Sequence, residues 1–403
     1  MANVAIIGGG ASGLCLAVML KESVPDLSVT IYEASDRVGR KLAVTGNGRC
    51  NISNIKLSSD HYHGDTSFAM NVINGFNYQK QKEFFNSLGV PFCEEDEGKA
   101  YPMSLQATSV VDAFRFRLDE LKVDLRLNSR VSSVKRVDNG FVVSTKTDEQ
   151  RFQAVVIATG GQAGGRLGNT DGYDILKSLG HKIEKTFPAI VQLKTPTDIV
   201  RQLKGIKLMA NVKAISSADT RCEFGEVLFC DYGLSGPPIL QVSRLANNKD
   251  LTISLDILPK MAEIEVKNEI LNRANRYPER TLSELFTGWL NKRLGQVVLK
   301  SAGIDINSNC RMLNELSAQS VAKIIKDFRF KITGDMGFEN AQVTAGGAQA
   351  SQFFTSCMSK KAKGLFAIGE VLDVDGDCGG FNLGFAWASA FACANGIKEY
   401  LAL

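Results

Sequence analysis

The apolar positions open in one short unbroken run, Val4 to Ile7, which stops at three glycines. An apolar stretch of helical length follows at Leu14 to Leu20, and a second short run at Ser28 to Glu33. Short apolar runs bounded by glycine read as buried strands, so the first 33 residues predict a β-α-β unit. Further on, Gln79 to Leu88 and Val110 to Leu121 predict helices. Val123 to Leu127, Val131 to Val137, Phe141 to Thr145 and Ala154 to Ala158 predict strands. From about Ala189 the period shortens to two: Ile206, Leu208, Ala210 and Val212 alternate with other residues, as do Leu251, Ile253, Leu255 and Ile257. That is the mark of half-buried strands in a mostly antiparallel module. Between Met261 and Phe328 apolar residues such as Leu282, Leu285, Phe286 and Leu290 recur at helical spacing, which predicts a small helical subdomain. After Asp335 come glycine-rich turns, one more strand at Leu365 to Ile368, and a helix-like stretch from Leu383 to Tyr400.

The glycines at the first turn give the pattern a chemistry. Gly8-Gly9-Gly10-Ala11-Ser12-Gly13 matches G-x-G-x-x-G between a strand and a helix, the context in which the motif cradles a pyrophosphate. Gly8 serves the tight turn, Gly10 the approach of phosphate to the N–H groups of Ala11, Ser12 and their neighbours, and Gly13 the close packing of helix on strand. Glu33, followed by Ala34, ends the second strand where a carboxylate accepts hydrogen bonds from an adenosine ribose and disfavours a 2′-phosphate.

Three later clusters extend this reading. Arg37-Val38-Gly39-Arg40-Lys41 and Thr45-Gly46-Asn47-Gly48-Arg49-Cys50-Asn51 put cations and glycines into one loop region, able to bring charge and backbone donors to a diphosphate. Ala158-Thr159-Gly160-Gly161 ends an apolar run in the manner of a strand returning past a dinucleotide. Near the end, Gly369-Glu370 closes a strand and Gly379-Gly380-Phe381-Asn382-Leu383 opens a helix. A carboxylate there suits ribityl hydroxyls, and a helix N-terminus suits the negative charge of a reduced flavin.

Together these clusters closely resemble the HI0933-like, or BaiN-type, family of bacterial NAD(P)/FAD-dependent flavoproteins over nearly the whole chain. The segments that carry the resemblance include Tyr232 to Pro237 and Gly369 to Gly376 as well as those above. The resemblance implies Glu33, Arg40, Lys41, Val131, Thr159, Gly160, Glu370, Asn382 and Leu383 as FAD contacts. The expected fold is α/β: a glutathione-reductase-like Rossmann-type FAD domain from residues 1–189 and 336–403, a β-rich insert from 190–260 and 329–335, and a helical domain from 261–328. This chain departs from the family pattern at Gly98 to Pro102, at Gly168 to Tyr173 and after Thr344, departures that bear on the substrate.

Charge and cysteines narrow the function further. With 47 basic and 43 acidic residues, a net +4, and no basic block, nucleic acid is not an expected partner, and an RNA-modifying role ranks low. The apolar start lacks a basic leader, and no stretch reaches membrane-span length, so a cytoplasmic protein is expected. Nine cysteines include no Cys-x-x-Cys pair, which argues against a redox disulfide or structural zinc. Cys50 and Cys378 lie near the expected flavin and read as small buried residues. Of three histidines, His61 and His63 share a strand face without a carboxylate or cysteine in metal-ligand spacing, and His181 follows a helix-capping Gly180. No metal is expected. The expected activity is hydride transfer between flavin N5 and a small organic molecule, as an NAD(P)H-linked reductase of a conjugated C=C bond. The nicotinamide then binds transiently, because the chain has no second strand–G-x-G-x-x-G–helix unit. The alternatives are an O₂-dependent oxidase of a small amine and a non-catalytic flavin-binding or redox-sensing protein.

Overall fold

The computed structural model describes all residues except 1, 218 and 249. The chain forms two compact units, Met1–Pro188 with Ala341–Leu403, and Ala189–Asn340. Each has its own apolar cluster.

The first unit is built on a parallel sheet. Its strands are β1 (Asn3–Ile7), β2 (Ser28–Tyr32), β4 (Asp124–Arg126), β5 (Ala154–Ile157) and β6 (Leu365–Ala367), in the order β6-β5-β1-β2-β4. β1 lies between β2 and β5, with Ile7 beside both Tyr32 and Ile157. Such a central strand is covered on both faces, which is why Val4 to Ile7 reads as an unbroken apolar run. The helix after β1, α1 (Ala11–Ser23), packs against the last helix, α3 (Phe381–Leu401). Both are buried over most of their surfaces, as suits helices apolar nearly all round. The C-terminal segment thus supplies an edge strand and a core helix to a sheet begun at the N-terminus. Between β2 and β4 a short strand, β3 (Tyr62–Gly64), pairs antiparallel with β7 (Val374–Gly376). An antiparallel meander, Ser133–Val137, Gly140–Ser144 and Glu149–Phe152, precedes β5. After β5 comes the helix α2 (Asp171–Ser178).

The second unit is a seven-stranded antiparallel sheet centred on Lys207–Ile215 and Thr220–Phe229, with Thr252–Asp256 and Phe328–Lys331 beyond Lys207–Ile215. Helices Glu263–Arg276, Lys292–Ser301 and Glu315–Lys326 share its apolar cluster. The helical reading of Leu282 to Leu290 is corrected here. Those residues form a short 3₁₀ turn, Leu282–Glu284, and irregular backbone. Leu282 N and Ser283 N donate to Ser308 O and Ile306 O, and Gly288 at φ +78° turns the chain before Asn291 caps the next helix. The apolar spacing serves burial without a helix. Among the described residues no helix is long and apolar enough to cross a membrane.

Candidate functional site

The β1–α1 turn is shaped by backbone contacts. Gly8 holds φ +115°, and a Cβ there would come within 2.3 Å of Ala158 O at the end of β5, so only glycine fits. A Cβ on Gly13 would meet Gly8 O at 2.1 Å, which sets how closely α1 approaches the turn. Gly10 differs: nothing lies within 4 Å of its Cβ position. The start of α1 has no side-chain cap and no acidic residue in its first turn. An uncapped helix start beside open space suits an outside anion.

Glu33 follows β2 and is held in place by the same turn. Its carboxylate accepts from Gly9 N (2.9 Å) and Ser35 N (2.8 Å), and keeps lone pairs for further donors. Asn128 N and Ser129 N donate to Ser35 O and Glu33 O, which brings the chain leading to the buried Val131 beside Glu33; Ala34 is exposed. Arg40 is half-exposed, 4.0 Å from Asp36.

The two ends of the chain meet at Lys41 and Glu370. Lys41 Nζ lies 2.6 Å from Glu370 Oε2, and Glu370 Oε1 accepts from Thr344 N at 2.8 Å. Gly369 abuts Ser12 of α1, since a Cβ on it would lie 2.7 Å from Ser12 Oγ. Thr159 and Gly160 follow β5 at the Gly8 contact, and Asn169 Nδ2 donates to Thr159 O. Gly8, Gly10, Ala11, Ser12, Gly13, Glu33, Lys41, Thr159, Gly160, Gly369 and Glu370 thus gather around the C-terminal ends of β1, β2 and β5 and the start of α1.

Gly380, Asn382 and Leu383 lie at the start of α3, where Gly380 and Asn382 contact the neighbouring loops. Gly380 has φ +95°, and a Cβ on it would lie 2.3 Å from Ser53 O. With the Asn51 amide turned so that its nitrogen reaches Ala100 O and Ser53 O, its oxygen accepts from Gly380 N at 3.2 Å. Glycine is needed there to pack helix on loop. The Asn382 side chain turns back on its own loop, accepting from Gly376 N (2.8 Å) and donating to Gly376 O (2.7 Å). Leu383 is half-buried.

Two further residues belong to this neighbourhood although the sequence marks them only as lying at departures from the family pattern, not as cofactor contacts. Thr344 bonds Glu370 through its N–H, and its Oγ1 accepts from Ala163 N at 2.9 Å. Tyr173, in α2, is buried, and among the described residues its hydroxyl has no hydrogen-bond partner. A Cβ on Gly161 would lie 2.5 Å from Thr344 Oγ1 and 3.0 Å from Tyr173 Oη. Burial, and then the charges of Glu370 and Asp373, push the phenol up, so it stays a neutral donor. A buried donor without an acceptor costs about 1–3 kcal/mol and is rare in native proteins. The residues present therefore fit an FAD: open space at the α1 start for a pyrophosphate, Glu33 for a ribose, and an orphaned Tyr173 donor near Glu370 for a hydroxylated chain. The signal for Tyr173 in the sequence is its place after Asp171-Gly172, at the end of the segment Gly168 to Tyr173 that departs from the family pattern.

Cys50 is buried at φ +59°, its thiol pushed up to about 12 by burial. Cys378 is exposed, contrary to the expectation of a buried residue. His61 and His63 do meet a carboxylate, Asp377, which lies more than 300 positions away in sequence. Among the described residues no group of three or more side chains is arranged to hold a metal.

A family described as HI0933-like protein Rossmann domain matches residues 2–396. The 3-dehydro-bile acid delta(4,6)-reductase of Clostridium scindens is 35% identical over 99% of this chain and 100% of its own length. The ribosomal RNA dihydrouridine synthase of Haemophilus influenzae is 27% identical over 98% of each chain. Among solved structures, the 3-ketosteroid delta1-dehydrogenase of Sterolibacterium denitrificans aligns over 99% of this chain and 100% of its own, at 14% identity and a TM-score of 0.49. With a Rossmann turn at β1–α1 completed by residues from both ends, and a family match across nearly its full length, the chain belongs to the HI0933-like family.

Proposed function

We propose that this chain is an FAD-dependent oxidoreductase of the cytoplasm that reduces a C=C bond conjugated to a carbonyl group in a small organic molecule, with NADH or NADPH as electron donor. The observation that carries the flavin is the β1–α1 corner, where Gly10 faces open space while Glu33 is fixed by Gly9 N and Ser35 N. The turn around Gly8, Gly10, Ala11, Ser12 and Gly13 would hold the pyrophosphate, and Glu33 with the chain near Ala34 and Val131 the adenosine. Lys41, Thr159, Gly160, Gly369, Glu370 and Tyr173 would hold the ribityl side. Arg40, beside Asp36, would add charge at the rim, and Gly380, Asn382 and Leu383 shape the far end through packing. When bound, FAD supplies hydride chemistry at N5. The protein's part is to orient, to exclude water and to place charge. The nine unbridged cysteines support a reducing compartment.

The reaction type is supported by what the two relatives' names share. A delta(4,6)-reductase acting on a 3-oxo compound and a synthase of dihydrouridine each saturate a C=C bond conjugated to a carbonyl. The bile-acid enzyme has the higher identity and favours a small molecule. A second reading, ribosomal RNA as substrate, draws support from the sheet of the second unit. Lys213 and Lys331 are exposed there with Phe224 and Met209, while Lys207 and Arg329, also exposed, pair with Glu226 and Asp327, a mix of cations and apolar groups suited to phosphate and base.

One experiment tests the reading. Protein purified with FAD is mixed anaerobically with NADH or NADPH, then with a 3-oxo-4,6-diene steroid or an unmodified ribosomal RNA transcript. Bleaching by nicotinamide and recovery of the yellow colour with the dienone are expected. Bleaching only by small amines would replace this reading with the amine oxidase; recovery only with RNA would establish the second substrate.

A further inference from the structure

Saturating a conjugated C=C bond takes a hydride at the β carbon and a proton at the α carbon, next to the carbonyl. Near the candidate FAD site, Lys41, Cys50 and Tyr173 are each paired or buried. Lys41 is paired with Glu370; the thiol of Cys50 is pushed up to about 12; Tyr173 is pushed up by burial. His181 is buried, bonded to Ser359 Oγ, and lowered to about 4.

The remaining imidazoles, His61 and His63, form an arrangement of their own. His61 Nδ1 lies 3.2 Å from Asp377 Oδ2, and His63 Nε2 lies 2.9 Å from Asp377 Oδ1. The carboxylate is 2% exposed, whereas the two rings are 32% and 25% exposed. One buried acid therefore orients two half-open imidazoles. Among the described residues, the second nitrogen of each ring has no hydrogen-bond partner. The β3–β7 pairing fixes the register, with Asp375 opposite His63 and Gly376 opposite Tyr62. Asp377 N then donates to His61 O, and Asn382 Nδ2 donates to Asp377 O. His61 stacks on Phe381, the first residue of α3, at 4.3 Å. The cluster is thus built into the loop that leads to the α3 start. Groups that face it are Asp375, Tyr62, whose hydroxyl donates to Phe381 O, and Cys378 with Lys99 and Glu97 near it.

We propose that His61 and His63, clamped by Asp377, deliver the proton of the reduction. This rests on the reductase reading above. The N–H bond of one imidazolium breaks and its proton forms the new C–H bond at the α carbon. The hydride, drawn originally from NADH or NADPH, forms the C–H bond at the β carbon, so the substrate gains two electrons and two hydrogens. The neutral imidazole regains its proton from solvent. Asp377 acts through the rings and is a positioning residue.

The test compares holoenzyme of the wild type with His61→Ala, His63→Ala, the double variant and Asp377→Asn. Each is first reduced, then reoxidised by a 3-oxo-4,6-diene steroid or, separately, by ferricyanide, which accepts electrons without a proton at carbon. FAD dissociation constants and apoprotein melting temperatures are measured alongside. The double variant is expected to slow dienone reduction about 100-fold or more while reoxidation by ferricyanide stays at the wild-type rate. Added imidazole restores part of the loss, and FAD affinity is unchanged. Equal slowing with both oxidants, loss of FAD, or no slowing at all would overturn the proposal. Failure of the wild type itself with the dienone would overturn the small-molecule reading; the variants are then compared on an RNA transcript, and inactivity there too overturns both.

Discussion

Tyr173 shows how much a single buried atom can say. Its hydroxyl loses hydration without a partner among the described residues, so removing it should not harm the empty protein. Tyr173→Phe is expected to leave the apoprotein melting temperature unchanged or slightly higher. It should weaken FAD binding roughly three- to tenfold, a loss on the order of 1 kcal/mol, measurable by fluorescence titration. Equal affinity for FAD would show that the hydroxyl serves a buried water instead. His181 makes a different prediction. Burial first, and Lys361 second, lower it to about 4 from an ordinary 6.5, so the folded chain holds the neutral ring where the unfolded chain binds a proton. Stability is therefore intact above pH 6.5 and declines as pH falls from there toward 4. Urea midpoints across that window should fall in the wild type and fall less in His181→Gln.

At the scale of elements, the pairing of Lys41 with Glu370 ties a loop after β2 to the turn after β6. Both side chains are partly exposed, at 30% and 20%, so the pair adds little to stability on its own. Glu370→Gln should shift the melting temperature only slightly, yet reduce FAD retention on gel filtration, because the same carboxylate also receives Thr344 N. A large drop in melting temperature would assign Glu370 to the fold alone. This contact also marks where sequence reading succeeds and where it stops. The strands of the parallel sheet were legible because β1 and β5, packed on both faces, must be apolar throughout, and glycine ends them. Thr220–Phe229 was missed because its less exposed positions Arg221, Glu223 and Gly225 are not apolar, while Cys222 and Phe224 face outward and only Val227 and Phe229 are buried. Leu282 to Leu290 misled because helical spacing buries a turn as well as a helix. The Asp377 clamp on His61 and His63 follows only from the β3–β7 register, which no local spacing encodes.

For the whole molecule, the decisive question is whether the FAD unit stands without the middle of the chain. The two apolar clusters share no residue, so each unit can bury its own core. Excision also needs the cut ends to be neighbours. Gln349 N donates to Lys182 O, and a Cβ on Gly346 would lie 2.4 Å from Lys185 O, so partners advance along one segment as they retreat along the other. Ile183–Ala189 and Val343–Ala348 therefore run antiparallel, and within the first unit the chain leaves beside the place where it returns. A short flexible linker adds only a small loop-closure cost in place of a much longer segment. A chain of residues 1–188 joined by about six Gly/Ser residues to 341–403 is expected to fold, melt cooperatively and bind FAD, because every proposed cofactor contact lies within it. The measurements are flavin stoichiometry by absorbance and chromatography of the released flavin, with FAD expected and FMN not. A folded but colourless product that also fails to take up added FAD would mean that residues 189–340 help to hold the cofactor. That outcome would overturn the assignment of the site to the two chain ends alone.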